Sequence, residues 1–461
     1  MVFVSDKVHL IGIGGVGMSG VARMLLSEGV SVSGSDMNDS PVLDALKQMG
    51  ADIHIGHDAA NIPAGVSLVV ISAAVKEENP ELSEARRRDI EVIKYARALG
   101  LLMASQVGVA VSGTHGKTTT TAMLAWILSQ ASKDPSFVVG AHVPDLDTSS
   151  REGSGGIFVA EACEYDRSFL NLRPRITIIT NIEEDHLDYY HDLGEIVSAF
   201  KEFVALLPSD GLLLVNAHDR NALAVAGSSP APVETFGARI SADWQAVNLR
   251  ADWGRYTFDV VNRGSEIISV SLAIPGVHNV LNALAALAVA HTLDVDFRTA
   301  AESLASFRGA ARRFQVIGEA ASVTVIDDYA HHPTEIQVTL KAARDFFRSG
   351  RLWVVFQPHQ YSRTRFFLKD FARSFSQADR MIVPDIYFVR DSDQERACVN
   401  AGDLVRELVG FGYDAEYVPE FSDIVDRVAS QVEPGDVVIT MGAGNVNEVG
   451  YALLERLRTD S

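Results

Sequence analysis

Apolar residues fall along this chain in strand-length runs, each followed by a turn and then by a stretch with helical spacing. In the first part, Val8-His-Leu-Ile11 reads as a strand and a helical stretch ends near Glu28-Gly29. Val30-Ser-Val-Ser33 and Ser67-Leu-Val-Val-Ile71 read as further strands. In the second part, Val107-Gly-Val-Ala-Val111 is a buried strand, and Met123 with Ile127 and Leu124 with Leu128 recur at four-residue spacing in the helix behind it. Ile157-Phe-Val-Ala160 and Ile176-Thr-Ile-Ile-Thr180 add two strands, and an alanine-rich stretch over 280–290 adds a helix. In the last part, Val323-Thr-Val-Ile326, Leu352-Trp-Val-Val-Phe356 and Asp436-Val-Val-Ile-Thr440 are strands. A helix opens at Pro333, which suits a first helical turn, and carries the stripe Ile336, Leu340, Ala343 and Phe347. Alternation of strand and helix predicts an α/β protein built on parallel sheets.

At 461 residues the chain is too long for one core. The boundaries read as 1–104, a Rossmann-like domain, 105–311, a central P-loop domain, and 312–461, a second Rossmann-like domain. Hydrophobic residues make up 47%, so the chain is globular, and no apolar run is long enough to span a bilayer. The opening Met-Val-Phe-Val-Ser-Asp-Lys lacks the layout of a signal peptide. Two cysteines, Cys163 and Cys398, supply neither a disulfide framework nor a cysteine-based zinc site. A cytoplasmic location is the expectation, with no membrane partner and a monomer or weak homodimer as the state. The net charge of −20 argues against nucleic acid. It also requires cations to be concentrated wherever a nucleotide binds, and Lys117, Arg312, Arg313, Arg363 and Arg365 are the candidates.

Gly113-Thr114-His115-Gly116-Lys117-Thr118-Thr119 stands where a strand gives way to a helix. Glycines there let successive N–H groups converge on an anion at a helix N-terminus, with Lys117 on the terminal phosphates of ATP and the Thr118 hydroxyl on Mg²⁺. The loop is a shortened form, because Val111 stands where the eight-residue motif has glycine. A second glycine turn, Gly12-Ile-Gly14-Gly15-Val16-Gly17-Met-Ser-Gly20, is followed by Ser35-Asp36 at the end of the next strand. Alone this fits an NAD enzyme, a nucleotide-sugar binder or a Rossmann fold without a ligand. Ser72-Ala73-Ala74-Val75 ends the strand that begins at Ser67, and its small residues either leave room for a ligand or simply make a tight turn. An oxidoreductase has no need of Lys117 and Thr118; an enzyme that spends ATP on a nucleotide-linked substrate needs both turns.

Acidic clusters close two of the central strands, Glu161-Ala-Cys163-Glu164-Tyr-Asp166 and Asn181-Ile-Glu183-Glu184-Asp185-His186-Leu-Asp188. Such runs are usually solvated loops, but strand ends on the rim of a parallel sheet are where these folds place ligands. Glu161 and His186 are therefore candidates for a Mg²⁺ site, since that ion takes hard ligands beside phosphate. The adjacent His331 and His332 do not suit one metal, because neighbours on a loop seldom point at a single ion. Arg363, read as lying on a loop after a strand, suits a carboxylate through its two-pronged fork. Gly442 and Gly444 end one more strand and read as structural.

The loop Gly-Thr-His-Gly-Lys-Thr-Thr-Thr and the segment Thr-Asn-Ile-Glu-Glu-Asp-His-Leu-Asp resemble the Mur ligases of peptidoglycan synthesis, and the resemblance runs through all three parts of the chain. It implies an enzyme using ATP and Mg²⁺ to join L-alanine to UDP-N-acetylmuramate through an acyl phosphate. The first domain would hold the nucleotide sugar, with Gly14, Gly15, Val16, Gly17, Ser35, Asp36 and Ser72 as candidates. The second would hold ATP and Mg²⁺ through Gly113–Thr119, Glu161 and His186. The resemblance places His278 and Asn279 near the adenine, where the residues alone read as a cap before the alanine-rich helix. It makes Arg313 and Asp328 nucleotide contacts and Tyr329, His331 and Arg363 substrate contacts. Two positions depart from the family pattern: Cys163 replaces a carboxylate, and Gln360 stands where many members carry arginine. Lys201, fifteen residues after His186, matches a modified lysine of related ligases by spacing, but reads as a solvated helix residue. A recycling ligase that attaches a peptide, or a nucleotide-switched binding protein, are the alternatives.

Overall fold

The computed structural model describes residues 6–459. Residues 1–5, and with them most of the stretch read above for a leader, lie outside the described residues. No helix among the described residues is long and apolar enough to cross a membrane. The chain forms two compact units. One holds the chain up to Ile182 with Ile196–Trp244 and Ala285–Ser303, the other Glu183–Glu195, Gln245–Leu284 and Leu304–Ser461.

In the first unit an all-parallel sheet runs in the order Asp52–Ile55, Ser31–Asp36, Lys7–Ile11, Leu68–Ile71, Glu91–Lys94. Strand order reverses at Lys7–Ile11, and the glycine turn leaves that strand's carboxyl end, the place where open sheets bind ligands. Gly12 has φ +81, and a Cβ there would lie 2.7 Å from Ser72 Oγ, so the turn needs its first glycine. Helix Val16–Ser27 follows. A Cβ on Gly20 would lie 3.0 Å from Ser150, which shows how closely this helix lies on the central strands of the same unit.

Those central strands run in the order Val233–Ala238, Leu212–Asn216, Ile176–Ile179, Val107–Ser112, Ile157–Glu161, Ser136–Val143, Thr148–Arg151, parallel except for the last. Order again reverses at the strand that carries the phosphate loop, Val107–Ser112. Helix Lys117–Gln130 behind it is buried nearly all round, including Thr118 to Thr121, and not only along the apolar positions that revealed it. A helix without a polar face belongs inside a protein.

The second unit contains a six-stranded sheet in the order Gln315–Ala320, Val323–Asp328, Val437–Met441, Leu352–Phe356, Arg380–Val383, Ala415–Tyr417, antiparallel only at the first pair. Successive residues feed opposite faces, as a pleated strand requires. Ile326, Val354 and Ile439 enter one core with helix residues Ile336 and Leu340; Val325, Val355 and Val438 enter the other with Ile424 and Leu453. Helix Pro333–Phe346 has Pro333 in its first turn, and Phe347 is its C-cap. The glycines after strand Val437–Met441 are structural: Cβ atoms on Gly442 and Gly444 would lie 2.6 and 2.3 Å from Gln357.

Two expectations are corrected. Helix Val277–Thr292 begins before His278 and Asn279, which lie in its first turn rather than before it. Arg363 is not on a loop but inside the short helix Tyr361–Phe366.

Candidate active site

In the first unit the phosphate loop is shaped by its neighbours. Gly113 has φ +134, and a Cβ would lie 2.1 Å from Thr180 Oγ1, so glycine is required. Thr180 Oγ1 and Asn181 Nδ2 donate to His115 O at 2.6 and 3.1 Å, and His115 N donates to Asn181 Oδ1 at 2.8 Å. Gly116, at φ +82, precedes the first turn of helix Lys117–Gln130. Thr114, Thr118 and Thr119 are buried, as loop and helix close over the strand end.

Lys117 Nζ lies inside this curl, donating to Gly113 O at 2.5 Å, to Thr114 O at 3.1 Å and to both oxygens of Glu164 at 3.0 and 2.9 Å. Burial works against its charge, but Glu164, Cys163 and Glu161 outweigh it, and the ammonium is held above its ordinary pKa. Thr118 Oγ1 donates to Glu161 Oε2 at 3.2 Å, and Gly140 N donates to the other oxygen of Glu161. Lys117, Thr118 and Glu161 are therefore one cluster, at the ends of paired strands Val107–Ser112 and Ile157–Glu161. Glu164, which sequence reasoning did not single out, belongs to it. It is buried at 3% exposure, unlike the solvated acid of a surface run. Cys163, between the two acids, is exposed and free.

At the other glycine turn of this unit, Gly12 N and Ile13 N donate to Ser35 O, and Gly14 N donates to Asp36 Oδ2 at 2.9 Å. Gly15 and Val16 face solvent, and Gly17 lies against the Tyr95 ring. The Ser35 hydroxyl points inward, donating to buried Glu81 at 2.5 Å, while Ser72 closes a tight turn with Val75.

In the second unit Arg363 Nη2 and Nε donate to Asp185 Oδ1 at 2.8 and 3.3 Å, with both side chains buried. Burial alone would raise the Asp185 carboxyl, yet Arg363, with smaller help from His186, His331 and His332, holds it well below the usual carboxylate range. His186 adopts φ 54 beside it and lines the same cavity of about 330 Å³ as Asp185 and Arg363. Arg312 and Arg313 lie with their guanidinium carbons 5.0 Å from the Tyr329 ring centroid. The His331 ring lies 5.5 Å from Tyr329, and burial pushes its pKa down to about 4. The rings of the histidine pair have separate partners: His331 Nδ1 meets Tyr329 O and His332 Nε2 meets Glu184 O.

Both Asp328 oxygens accept backbone N–H groups, from Phe314 and Ala330, and burial raises that carboxyl to about 6. His278 is held neutral by burial, at about 4, and Asn279 Nδ2 donates to Pro275 O. Lys201 is exposed on helix Leu193–Val204.

A phosphate loop between two carboxylates and a second, diphosphate-type glycine turn in the same unit define a multidomain α/β protein of the nucleotide-handling class. The chain belongs to the Mur ligase family. Its family models match in order: the Mur ligase family catalytic domain over 7–107, the middle domain over 111–290 and the glutamate ligase domain over 312–444. The UDP-N-acetylmuramate–L-alanine ligase of Caldanaerobacter subterraneus subsp. tengcongensis is 43% identical over 451 residues, 97% of each chain. The protein of that name from Salinibacter ruber is 42% identical over 98% of this chain and 95% of its own. Among solved structures, the UDP-N-acetylmuramate-alanine ligase of Thermotoga maritima matches with TM-score 0.82 and 30% identity, covering 99% of this chain and all of that one. A murein peptide ligase of Psychrobacter arcticus matches with TM-score 0.72 and 28% identity over 98% of both chains.

Proposed function

We propose that this chain is a cytoplasmic, ATP-dependent ligase that joins L-alanine to the lactyl carboxylate of UDP-N-acetylmuramate, releasing ADP and phosphate. The observation that carries the reading is the cluster of Lys117, Thr118, Glu161 and Glu164 around one glycine loop. A triphosphate fits this cluster, because the loop has glycine at two positive-φ positions and presents a helix N-terminus beside an ammonium held above its ordinary pKa. Mg²⁺ fits as well: the Thr118 hydroxyl and the Glu161 carboxylate are hard oxygen donors 3.2 Å apart. When bound, the ion would neutralise charge shared between the terminal phosphates.

The lactyl carboxylate attacks the γ-phosphorus, and the β–γ bridging oxygen leaves with ADP. The amine of L-alanine then attacks the acyl phosphate carbon, and phosphate departs as the amide forms. Lys117 draws phosphoryl charge onto a fixed cation, and Glu164 keeps that cation in the loop. Both roles are electrostatic positioning, the main contribution a protein makes to phosphoryl transfer. Gly14, Gly15, Val16 and Gly17 offer the turn for the UDP diphosphate. Arg363 is the proposed partner of the amino acid's carboxylate, through the Nη2 hydrogen left over by its bonds to Asp185 and the contacts of Nη1 with His359.

Identity near 43% to relatives named for L-alanine favours alanine over a preformed peptide. Phosphate release measured with ATP, UDP-N-acetylmuramate and a panel of amino acids and a tripeptide tests the reading. Release is expected with L-alanine and should be weak with the tripeptide. The opposite order would mark a recycling ligase, and no release with any acceptor would leave only a binding protein.

A further inference from the structure

Glu81 is wholly buried in the first unit and takes no part in the ligase chemistry. It stands in the first turn of helix Pro80–Arg87, whose leading N–H groups, from Glu81 and Leu82, donate to the Asn79 side chain. From there its carboxylate gathers groups from several elements. Ser35 Oγ donates to Oε2 at 2.5 Å, Asn61 Nδ2 donates to Oε1 at 2.6 Å and Asp58 N to Oε1 at 3.3 Å. His9 Nε2 lies 3.4 Å from Oε2. Burial pushes this carboxyl up, yet His9, Ser35 and Asn61 outweigh it and bring it down to about 2, so it is ionised.

The consequence falls on His57, whose Nδ1 lies 2.9 Å from Ser35 Oγ. A hydroxyl has one hydrogen, and Ser35 gives its own to the ionised carboxylate. The hydrogen between Ser35 and His57 therefore belongs to the ring. The neutral imidazole then carries its proton on Nδ1 and leaves Nε2 a bare acceptor. The His57 side chain is 17% exposed, and its Nε2 has no hydrogen-bond partner among the described residues. His57 follows strand Asp52–Ile55, and the N–H of its neighbour Gly56 donates to Asp36 O at 2.7 Å. Asp36 in turn accepts from Gly14 N of the glycine turn. In dinucleotide-type folds an acidic residue at this strand end marks where the ribose lies.

We propose that Glu81 is a positioning residue for the nucleotide sugar: through the Ser35 hydroxyl it fixes the His57 tautomer, so that Nε2 accepts from a ribose hydroxyl. The inference rests on the reading of Gly14–Gly17 as the turn for the UDP diphosphate. Glu81 itself touches no substrate.

Calorimetric binding of UDP-N-acetylmuramate to the full chain tests it, with Glu81→Gln and Ser35→Ala each made alone and together with His57→Ala. Each of the three single variants should raise the Kd about five- to ten-fold, the effect of one hydrogen bond, while the Kd for ATP stays within about two-fold. On the His57→Ala background, adding Glu81→Gln or Ser35→Ala should change the Kd by less than about two-fold, because all three remove the same acceptor. UDP should repeat this pattern, and a dideoxy analogue of UDP lacking both ribose hydroxyls should bind wild type and variants alike. Nitrogen NMR of the wild-type histidine rings, with His57 assigned by its loss in His57→Ala, should place the proton on Nδ1. Ser35→Ala carries the kinetic arm should Glu81→Gln not fold. A merely structural Glu81 would instead lower the melting temperature and weaken binding by the same factor whether or not His57 is present. That independence, a proton on Nε2, unchanged affinity in the single variants, or a dideoxy analogue that remains sensitive would overturn the proposal. If the wild type binds UDP-N-acetylmuramate and releases phosphate with L-alanine while the variants do not differ, the ligase reading stands and this assignment alone falls. If the wild type binds none, both fall.

Discussion

Replacing Lys117 by alanine is expected to slow substrate-dependent phosphate release by a hundred- to a thousand-fold. Losing one preorganised group that stabilises developing charge typically costs about 3–4 kcal/mol of barrier. The geometry explains why the loss is not shared out among other residues. The ammonium is enclosed by two loop carbonyls and the Glu164 carboxylate, and among its partners it alone is a cation. Its removal takes away the positive charge and leaves a carboxylate at 3% exposure facing the same phosphates, so the local field changes sign. Stopped-assay measurement of ADP at saturating substrates reads the effect, which should fall mainly on kcat. A variant retaining a tenth or more of the wild-type rate would remove Lys117 from the chemistry.

The Arg363→Ala substitution should act on two quantities at once. Removing one partner of a buried ion pair commonly costs about 3–5 kcal/mol, because the other charge remains buried and unpaired. Arg363 and Asp185 are 5% and 8% exposed at their side chains, so the melting transition should move down markedly. If Arg363 also meets the amino acid's carboxylate, the KM for L-alanine should rise by at least ten-fold. The double variant Arg363→Ala with Asp185→Asn separates the two. Neutralising the stranded carboxylate should recover much of the stability and none of the alanine affinity. Recovery of both together would mean that Arg363 only holds the fold.

What could be read from the chain beforehand follows the range over which each signal acts. Strands such as Leu352–Phe356 and helix Lys117–Gln130 are written in the spacing of neighbouring apolar residues; the strand was legible to its observed ends, the helix only through the pairs Met123 with Ile127 and Leu124 with Leu128. The phosphate loop was legible because glycine, lysine and threonine are consecutive. Partnerships across long separations were not. Nothing local marks Glu164 as buried against Lys117, or Asp185 as the counter-ion of Arg363, since both acids sit in runs that look solvated. Thr180 and Asn181, which hold the loop in shape, follow a different strand, Ile176–Ile179. The corrections have the same origin. His278 and Asn279 look like a cap because Pro275-Gly276 precedes them, yet the helix starts at Val277. Arg363 looks like a loop residue because Pro358 and Gln360 stand between it and the strand, and the helix that holds it starts just after Gln360 takes a positive φ. That strain has no local sequence signal.

Isotope tracing gives the most direct test of the claim that one site moves the γ-phosphoryl group onto a carboxylate. UDP-N-acetylmuramate with heavy oxygen in its lactyl carboxylate would be turned over with ATP and L-alanine, and the released phosphate analysed by mass. An acyl phosphate intermediate transfers one labelled oxygen to each phosphate formed with product, and that is the predicted result. Unlabelled phosphate accompanying normal product formation would contradict the account.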